Sequence, residues 1–384
     1  MRRSSIWPRA WHRGAAISVL ATALLMSGCV KDSAGGGASR PQGQGCKLNP
    51  PPAAAPAPAT PSSQPKPKPD AHAMRVGLAY DIGGRGDASF NDASAAGLQR
   101  AKNEMGLAEV RELSASPGEP EDAKQTRLRQ LAREGFNPVI AVGFAYADSV
   151  KAVAPEFPGT RFALIDSSAE GLPNVTPLEF AEEQGSFLMG VIAANRSKNC
   201  HVGFVGGVKT PLIGKFEAGF TQGARAAASN IEIKTNYLTP AGDYSGFQDP
   251  NKGSEVAQGQ IDGGADVIYH AAGASGKGVF SAAQGARAMA IGVDSDQYNQ
   301  PTVAQYRDVI VSSMLKRVDL AVYEFIAAVA RNDLGLLPKK FDLAVDGVAY
   351  STSGAKIQDL VPTLDAYKAA IASGQIKVSD KPGN

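Results

Sequence analysis

The sequence predicts an α/β protein made of two doubly wound, parallel-sheet domains, and three observations carry that prediction. Short apolar runs alternate with helix-period patterns from Met74 onward, the order that lays parallel strands side by side with helices on both faces. The strand-like runs fall at 76–82, 138–144, 161–166, 175–180, 201–207, 231–238, 265–272, 289–294, 309–313 and 341–350, too many for one compact sheet. A chain of 384 residues, 43% hydrophobic and 20% charged, is long enough to bury two cores. Helical patterns at 121–135, 183–196, 215–229, 253–263 and 315–332 connect the strands, and no internal repeat is evident.

The residues before Met74 are of another kind. Arg2, Arg3, Arg9 and Arg13 precede an apolar run from about Gly14 to Met26, and Ser27-Gly28-Cys29 follows. Such a run is too short to span a bilayer and reads as the hydrophobic region of a signal peptide over residues 1–28. Small residues directly before a cysteine resemble the cleavage box of bacterial lipoproteins, with Met26 in place of the usual leucine, which implies diacylation of Cys29 and attachment to the membrane through lipid alone; an ordinary signal peptide with an incidental cysteine is the alternative. Losing the leader removes four arginines and no acid, taking the formal charge from +2 to −2. A near-neutral chain lacks the electrostatic footprint of a nucleic-acid binder.

Residues 30–73 form a linker: Gly35-Gly36-Gly37 and the Pro/Ala run over 50–69 favour extended, solvated backbone and cannot build a core. Cys46 and Cys200 remain as an even pair, able to close a disulfide between tether and globular part in an oxidising compartment. Two free thiols is the alternative. The histidines, His12, His72, His201 and His270, show no metal-ligand spacing.

The stretch 76–92, reading VGLAYDIGGRGDASFND, organises the globular part. Val76-Gly77-Leu78-Ala79-Tyr80 has the length and apolarity of a buried parallel strand. Gly83, Gly84 and Gly86 permit a sharp turn, and Ser89 with Asp92 three residues on has the form of a helix N-cap. Phe90, Ala93, Gly97, Leu98, Ala101 and Met105 then share one helical face. Asp81, Phe90 and Asn91 therefore gather at the carboxyl end of a strand, where open α/β sheets bind ligands.

Other motifs exclude function classes. The glycines after the first strand lack the G-x-G-x-x-G spacing of a dinucleotide site. Gly273-Ala274-Ser275-Gly276-Lys277-Gly278 superficially resembles a Walker loop. Its first glycine is too close to the lysine, and Gly278 stands where a magnesium-binding Ser or Thr is required. This loop reads as a strand-to-helix turn whose backbone N–H groups can hold a polar atom. No Gly-x-Ser-x-Gly elbow and no Ser/His/Asp or Cys/His set can be assembled.

Three acids end strands alike: Asp81, Asp166 and Asp294. Each can simply cap its loop, yet together they suit a polar cleft, because paired carboxylate oxygens accept from vicinal hydroxyls of a sugar or ribose. Ser89-Phe90 and Lys215-Phe216 each open a helix, and the two rings are either core or faces for a flat ligand. Lys316 lies at the start of a long helix after a strand, as a ligand contact or a solvated lysine.

Read together, Tyr80-Asp81-Ile82-Gly83-Gly84, Ser89-Phe90-Asn91-Asp92, Asp249-Pro250-Asn251-Lys252-Gly253, Gly264-Ala265-Asp266-Val267-Ile268, Ala271-Ala272-Gly273, Gly292-Val293-Asp294-Ser295-Asp296-Gln297 and Ser313-Met314-Leu315-Lys316-Arg317-Val318-Asp319 resemble the basic membrane protein family of ABC-transporter substrate-binding lipoproteins. The best understood branch of that family looks like purine nucleoside receptors. The resemblance implies a type I periplasmic-binding-protein fold, two Rossmann-like lobes with parallel sheets joined by a hinge. It implies a first lobe of 74–182 plus about 295–322, and a second of 183–294 plus about 323–384. It also implies that two phenylalanines sandwich a base while acids and a lysine hold the ribose. Phe90 and Phe216 match the aromatic positions. Asp81, Asn91, Asp166, Gly273, Asp294 and Lys316 match the polar ones, with Asp294 as ribose-hydroxyl acceptor. Two features depart from the family: Gly273-Ala274-Ser275-Gly276 replaces its Gly-Gly-Thr-Gly, and Cys200 follows Lys198-Asn199.

The expectation is an extracytoplasmic, lipid-anchored, monomeric binding protein that delivers a nucleoside, with a purine favoured, to an ABC permease, without catalysis, metal or cofactor. A sugar or signalling furanose as ligand, or a sensor with no transport role, are the alternatives.

Overall fold

In a computed structural model of the chain, residues 45–53, 69–116 and 118–383 are described. The leader, Cys29 and most of the tether lie outside them.

The first lobe grows from β1 (Arg75–Ile82), whose residues from Val76 to Tyr80 are buried, as a parallel strand covered on both faces requires. It continues through α1 (Phe90–Met105), β2 (Glu109–Ala115), α2 (Glu121–Arg133), β3 (Val139–Ala141), α3 (Ala147–Val153), β4 (Phe162–Ile165) and β5 (Val175–Leu178). Its strands run parallel in the order β2-β1-β3-β4-β5. The second lobe holds α4 (Glu182–Arg196), β6 (His201–Val208), α5 (Pro211–Ala227), β7 (Glu232–Thr239), α6 (Pro250–Asp262), β8 (Val267–Ala271), α7 (Gly276–Ala286), β9 (Met289–Asp294) and β10 (Ile310–Lys316). After α8 (Val318–Ala330) the chain returns as β11 (Val348–Tyr350) and α9 (Val361–Ala372). The second sheet is ordered β11-β10-β9-β8-β6-β7, with only β11 antiparallel to its neighbour.

With β11 set aside, the two sheets have the same strand order. The second strand of each lobe lies at one edge, followed in space by the first, third, fourth and fifth. The repeat invisible in the sequence is thus present in the topology. In each lobe the winding reverses between the first and third strands, and open α/β sheets bind ligands beyond the carboxyl ends at such a point.

Among the described residues three crossings join the lobes, and backbone bonds tie them side by side. Ala181 N–H donates to the Phe341 carbonyl at 3.0 Å, Phe341 N–H to the Glu179 carbonyl at 2.9 Å, and Arg317 N–H to the Gly347 carbonyl at 2.9 Å. The Phe180 and Phe341 rings stack across this hinge with centroids 5.2 Å apart. These crossings correct the expected lobe boundaries. β10, within the segment assigned to the first lobe, pairs with β9 in the second sheet. Conversely, α8 packs on α1 of the first lobe, where Gly97 abuts the Asp319 backbone and the Arg100 guanidinium lies 3.8 Å from the Tyr323 ring centroid. The reason is that β10 completes a buried apolar sheet while the nearly all-apolar α8 covers the first lobe.

Other expectations shift as well. β2, reading EVRELSA, was not among the predicted strands: it is a half-exposed edge strand whose charged residues mask the apolar signal. Only 348–350 of the run 341–350 is a strand, and the helix read at 315–332 begins at Val318. The α4 and α5 helices cross closely through Gly219 and Gly223, where a Cβ would overlap the carbonyls of Glu183 and Phe187 respectively.

Cys46 and Cys200 are joined in a disulfide. It pins the end of the tether to the second lobe, where Asn49 N–H donates to the Ala227 carbonyl at 2.8 Å and Lys47 N–H to Asn230 Oδ1 at 2.8 Å. The same chain enters the first lobe at Ala71, whose N–H reaches the Met105 carbonyl at 3.1 Å. Among the described residues no helix is long and apolar enough to cross a membrane.

Candidate ligand-binding site

The carboxyl ends of strands from both lobes line one cavity of about 670 Å³, its open mouth included. Asp81, Phe90, Asn91, Asp166, Phe216, Gly273, Asp294 and Lys316 all line it, so the structure brings together every ligand-binding position proposed from the sequence. Ile82, Gly83, Asp87, Phe144, Leu212, Ile213, Phe247, Ala271, Ala274 and Val293 complete the wall.

The loop after β1 is built differently from the expected cap. Asp87, not Ser89, caps α1: its Oδ1 accepts from Ser89 N–H at 2.9 Å and Asp92 N–H at 3.2 Å, and its Oδ2 accepts from Asn91 N–H at 2.8 Å. Asp92 turns back to accept from Gly86 N–H at 2.8 Å and Ala88 N–H at 2.9 Å. This closed set pairs the Asn91 and Asp92 amides at the helix start and releases the Ser89 hydroxyl, which donates to Asp294 Oδ2 at 2.5 Å. Asn91 Oδ1 accepts from Asp81 N–H at 3.1 Å, fixing the strand end against the helix.

The opposite wall comes from the second lobe. Thr210 Oγ1 accepts from Ile213 N–H at 3.2 Å and caps α5, so Phe216 stands in the second turn of the helix instead of opening it. Gly273 has φ 54° in the turn after β8, and a Cβ there would come within 3.2 Å of the Phe247 carbonyl. Ser275 holds the loop that carries Phe247: its Oγ accepts from Asp249 N–H at 2.7 Å and donates to the Gly246 carbonyl at 2.8 Å. The lysine of the Walker-like run has a structural use, since Lys277 Nζ donates to the Gly86 carbonyl at 2.8 Å across the cleft.

Asp166 follows, and Asp294 ends, the fourth strand of its lobe, and both have left-handed backbone, with φ 67° and 63°. Aspartate tolerates that region better than most residues. Gly143, with φ 100° after β3, leaves room for the Asp81 carboxylate, which a Cβ there would strike.

Lys316 is the last residue of β10, not the first of a helix, and is 2% exposed. Its Nζ lies 2.6 Å from Asp166 and 3.1 Å from Glu182. It also faces the rings of Phe90, Phe180 and Phe216 at 5.1, 5.0 and 5.6 Å from their centroids. Burial works against the ammonium, but Asp166, Glu182 and Asp294 outweigh it and hold the lysine above its ordinary pKa. Burial pushes Asp81 up to about 7, offset in part by the Ile82 N–H that donates to its Oδ1. Burial likewise lifts Asp294 to about 7 against the pull of Lys316 and Ser89, and Asp166 to about 6 despite Lys316. With Lys316 already shared by two acids, Asp81 and Asp294 present unneutralised acceptors. Such a cavity favours hydrogen-bond donors and flat apolar faces, and it disfavours phosphates or other anions.

Sequence reading missed Asp87, Phe144, Phe247 and Glu182. Asp87 carried a signal, since an aspartate three residues before a helix is a capping candidate. Glu182 resembled any acid in a first helical turn.

Two lobes of this topology, hinged by three crossings around a shared cavity, define the type I periplasmic solute-binding proteins. A solute-binding protein of an ABC transporter system from Aeropyrum pernix superposes with TM-score 0.69 at 26% identity, over 81% of this chain and 94% of that one. Residues 74–379 match the family described as ABC transporter substrate-binding protein PnrA-like, and the chain belongs to that family. The CD4+ T-cell-stimulating antigen of Listeria monocytogenes is 33% identical over 324 residues, 80% of this chain and 88% of its own. The ABC transporter nucleoside-binding protein BmpA of Lactococcus lactis is 31% identical over 232 residues, 58% of this chain and 64% of its own. The family binds solutes and is not catalytic, and its partners are a ligand and a membrane permease.

Proposed function

We propose that the cavity takes a nucleoside, with a purine base between Phe90 and Phe216 and the ribose hydroxyls on Asp294 and Lys316. The observation that carries this reading is the paired contribution of the lobes: each supplies one phenylalanine from the helix after its first strand and one aspartate from the end of its fourth. A ligand with a flat face and vicinal hydroxyls engages both sets only when the lobes are closed, so its binding energy favours closure. The surplus of carboxylates supports an uncharged nucleoside over a nucleotide. The name of the Lactococcus relative points the same way.

The lipid anchor and extracytoplasmic placement in this reading rest on the leader, and the permease on the family. Cys29 carries the lipid, the globular part stands on the extracytoplasmic face as a monomer, and the closed form is what the permease receives. A sugar ligand would leave Phe90 and Phe216 as core residues.

The test is a thermal-shift screen of nucleosides, free bases, pentoses and hexoses, followed by calorimetry, because a ligand of the folded state raises its melting temperature by mass action. Purine nucleosides are expected to give the largest shifts, and Asp294→Ala to abolish them while the protein stays folded. Stabilisation by sugars with no response to nucleosides would overturn the proposal.

A further inference from the structure

Glu182 begins α4, immediately after the first hinge crossing, and its side chain is 1% exposed. It does not line the cavity, yet it reaches two ammonium groups on two other elements. One carboxylate oxygen lies 3.1 Å from Lys316 Nζ at the end of β10, and the other 3.3 Å from Lys215 Nζ on α5. Lys316 is also held at 2.6 Å by Asp166, which follows β4 of the other lobe. One ammonium at the cavity floor is therefore pulled from both sides of the hinge.

Charge balance does not require this arrangement. Asp166 and Lys316 alone would make a neutral buried pair. Adding Glu182 buries a second carboxylate, which in turn needs Lys215. Buried ion pairs seldom add stability over apolar packing of the same volume, so a different consequence has to be sought. A lysine ammonium sits on a four-carbon flexible stem, and one partner leaves it free to swing. Two acceptors in different directions fix it, here facing the Phe90, Phe180 and Phe216 rings.

We infer that Glu182 is a positioning residue: it sets where the Lys316 ammonium is presented to the ligand and ties that position to the hinge. The inference rests on the nucleoside reading for its binding readout, but not for its second readout. The charged groups facing Asp166 are Lys316, Glu182, Lys215, Asp294 and Asp81, and Glu182 acts on it as a like charge.

The experiment compares wild type, Glu182→Gln and Glu182→Asp. With a purine nucleoside as titrant, Glu182→Gln should weaken binding about tenfold to a hundredfold, the range for loss of one charge-assisted bond. It should also move to lower pH the part of the acid limb that Asp166 sets, below the part set by Asp81 and Asp294, because Asp166 loses a negative neighbour. A merely destabilised site would weaken alike at every pH. Glu182→Asp keeps the charge but not the reach, and should weaken binding without moving the limb. It serves if Glu182→Gln does not fold. In ligand-free protein, nuclear magnetic resonance of the lysine ammonium groups should show a protected Lys316 signal in wild type that both variants lose. If wild type binds no nucleoside, the functional reading fails while loss of that signal still supports the positioning role. An unchanged Lys316 signal, or unchanged affinity in folded variants, overturns it.

Discussion

The Ser89 hydroxyl, at the end of the β1–α1 loop, donates to Asp294 Oδ2 at 2.5 Å, joining the first lobe to the carboxylate that ends β9 of the second. Three neighbours reinforce the contact. Ser295 Oγ donates to the Ser89 carbonyl at 2.8 Å, Gln297 Nε2 to the Ala88 carbonyl at 3.0 Å, and Lys277 Nζ to the Gly86 carbonyl at 2.8 Å. Ala88 itself is buried in the core of the second lobe. The loop that carries Asp87, Phe90 and Asn91 to the cavity is thus also the latch that closes it.

Ser89→Ala removes the side-chain bond and leaves the backbone contacts of the latch in place. Asp294 then loses the donor that orients it and one tie between the lobes. Nucleoside affinity should fall about tenfold, the effect of one hydrogen bond to a charged group, with little change in melting temperature. Calorimetry beside a thermal melt checks this, and undiminished affinity would show that Asp294 needs no such support.

Phe90 and Phe216 distinguish a base-binding cavity from a sugar-binding one. Phe90→Leu and Phe216→Leu keep an apolar side chain but remove the flat face, so each should weaken a purine nucleoside by about 1–3 kcal/mol. Binding of a pentose, if any is measured, should not respond. Equal affinity of wild type and both variants would assign the rings to the core.

How much of this was legible in the sequence follows from how local each signal is. The run Val76–Tyr80 and the strands at 201–207 and 289–294 announce themselves because a buried parallel strand is continuously apolar. Asp81, Phe90 and Asn91 could be placed together because strand ends and helix starts converge in this topology, while the ligand roles of Phe216, Gly273, Asp294 and Lys316 came from the family resemblance. What stayed hidden depends on partners far along the chain. Lys316 meets Asp166 across 150 residues, and Ser89 meets Asp294 across 205. Ser89 fits a helix cap locally, and only the fold shows Asp87 taking that role. The lobe boundary near 316 was also invisible, because β10 and α8 are both apolar and nothing local tells which lobe each covers.

The buried acids predict opposite pH responses for empty and occupied protein. Asp81 and Asp294 stand at about 7 in the folded chain against an ordinary 3.8. Between those values the folded state binds more protons than the unfolded one, so stability falls as pH rises through that window. The ligand-free protein should therefore melt at a higher temperature at about pH 5 than at about pH 8, and Asp81→Asn should flatten the trend. A ligand that donates hydrogen bonds to these carboxylates favours their charged forms. Binding should then release protons and weaken as pH drops below about 7. Calorimetry in buffers of different ionisation enthalpy reads the release directly; buffer-independent heats with a flat affinity profile would contradict it.

The Cys46–Cys200 disulfide should matter for stability and not for the ligand. Its two cysteines are 154 residues apart, so the cross-link closes a large loop in the unfolded chain. Removing a link of that kind costs about 2–4 kcal/mol of stability. Cys200 immediately precedes β6, at the amino end of the second sheet, whereas the cavity is lined from the carboxyl ends. The tether segment also keeps its bonds from Lys47 to Asn230 and from Asn49 to Ala227, which hold it locally when the sulfurs part. Cys46→Ser with Cys200→Ser, or reduction of the wild type, should lower the melting temperature and leave nucleoside affinity unchanged. Thiol titration of native protein should find neither sulfur reactive. Two reactive thiols would remove the bridge from the native fold, and a loss of affinity in parallel with stability would show that the tether reaches the site after all.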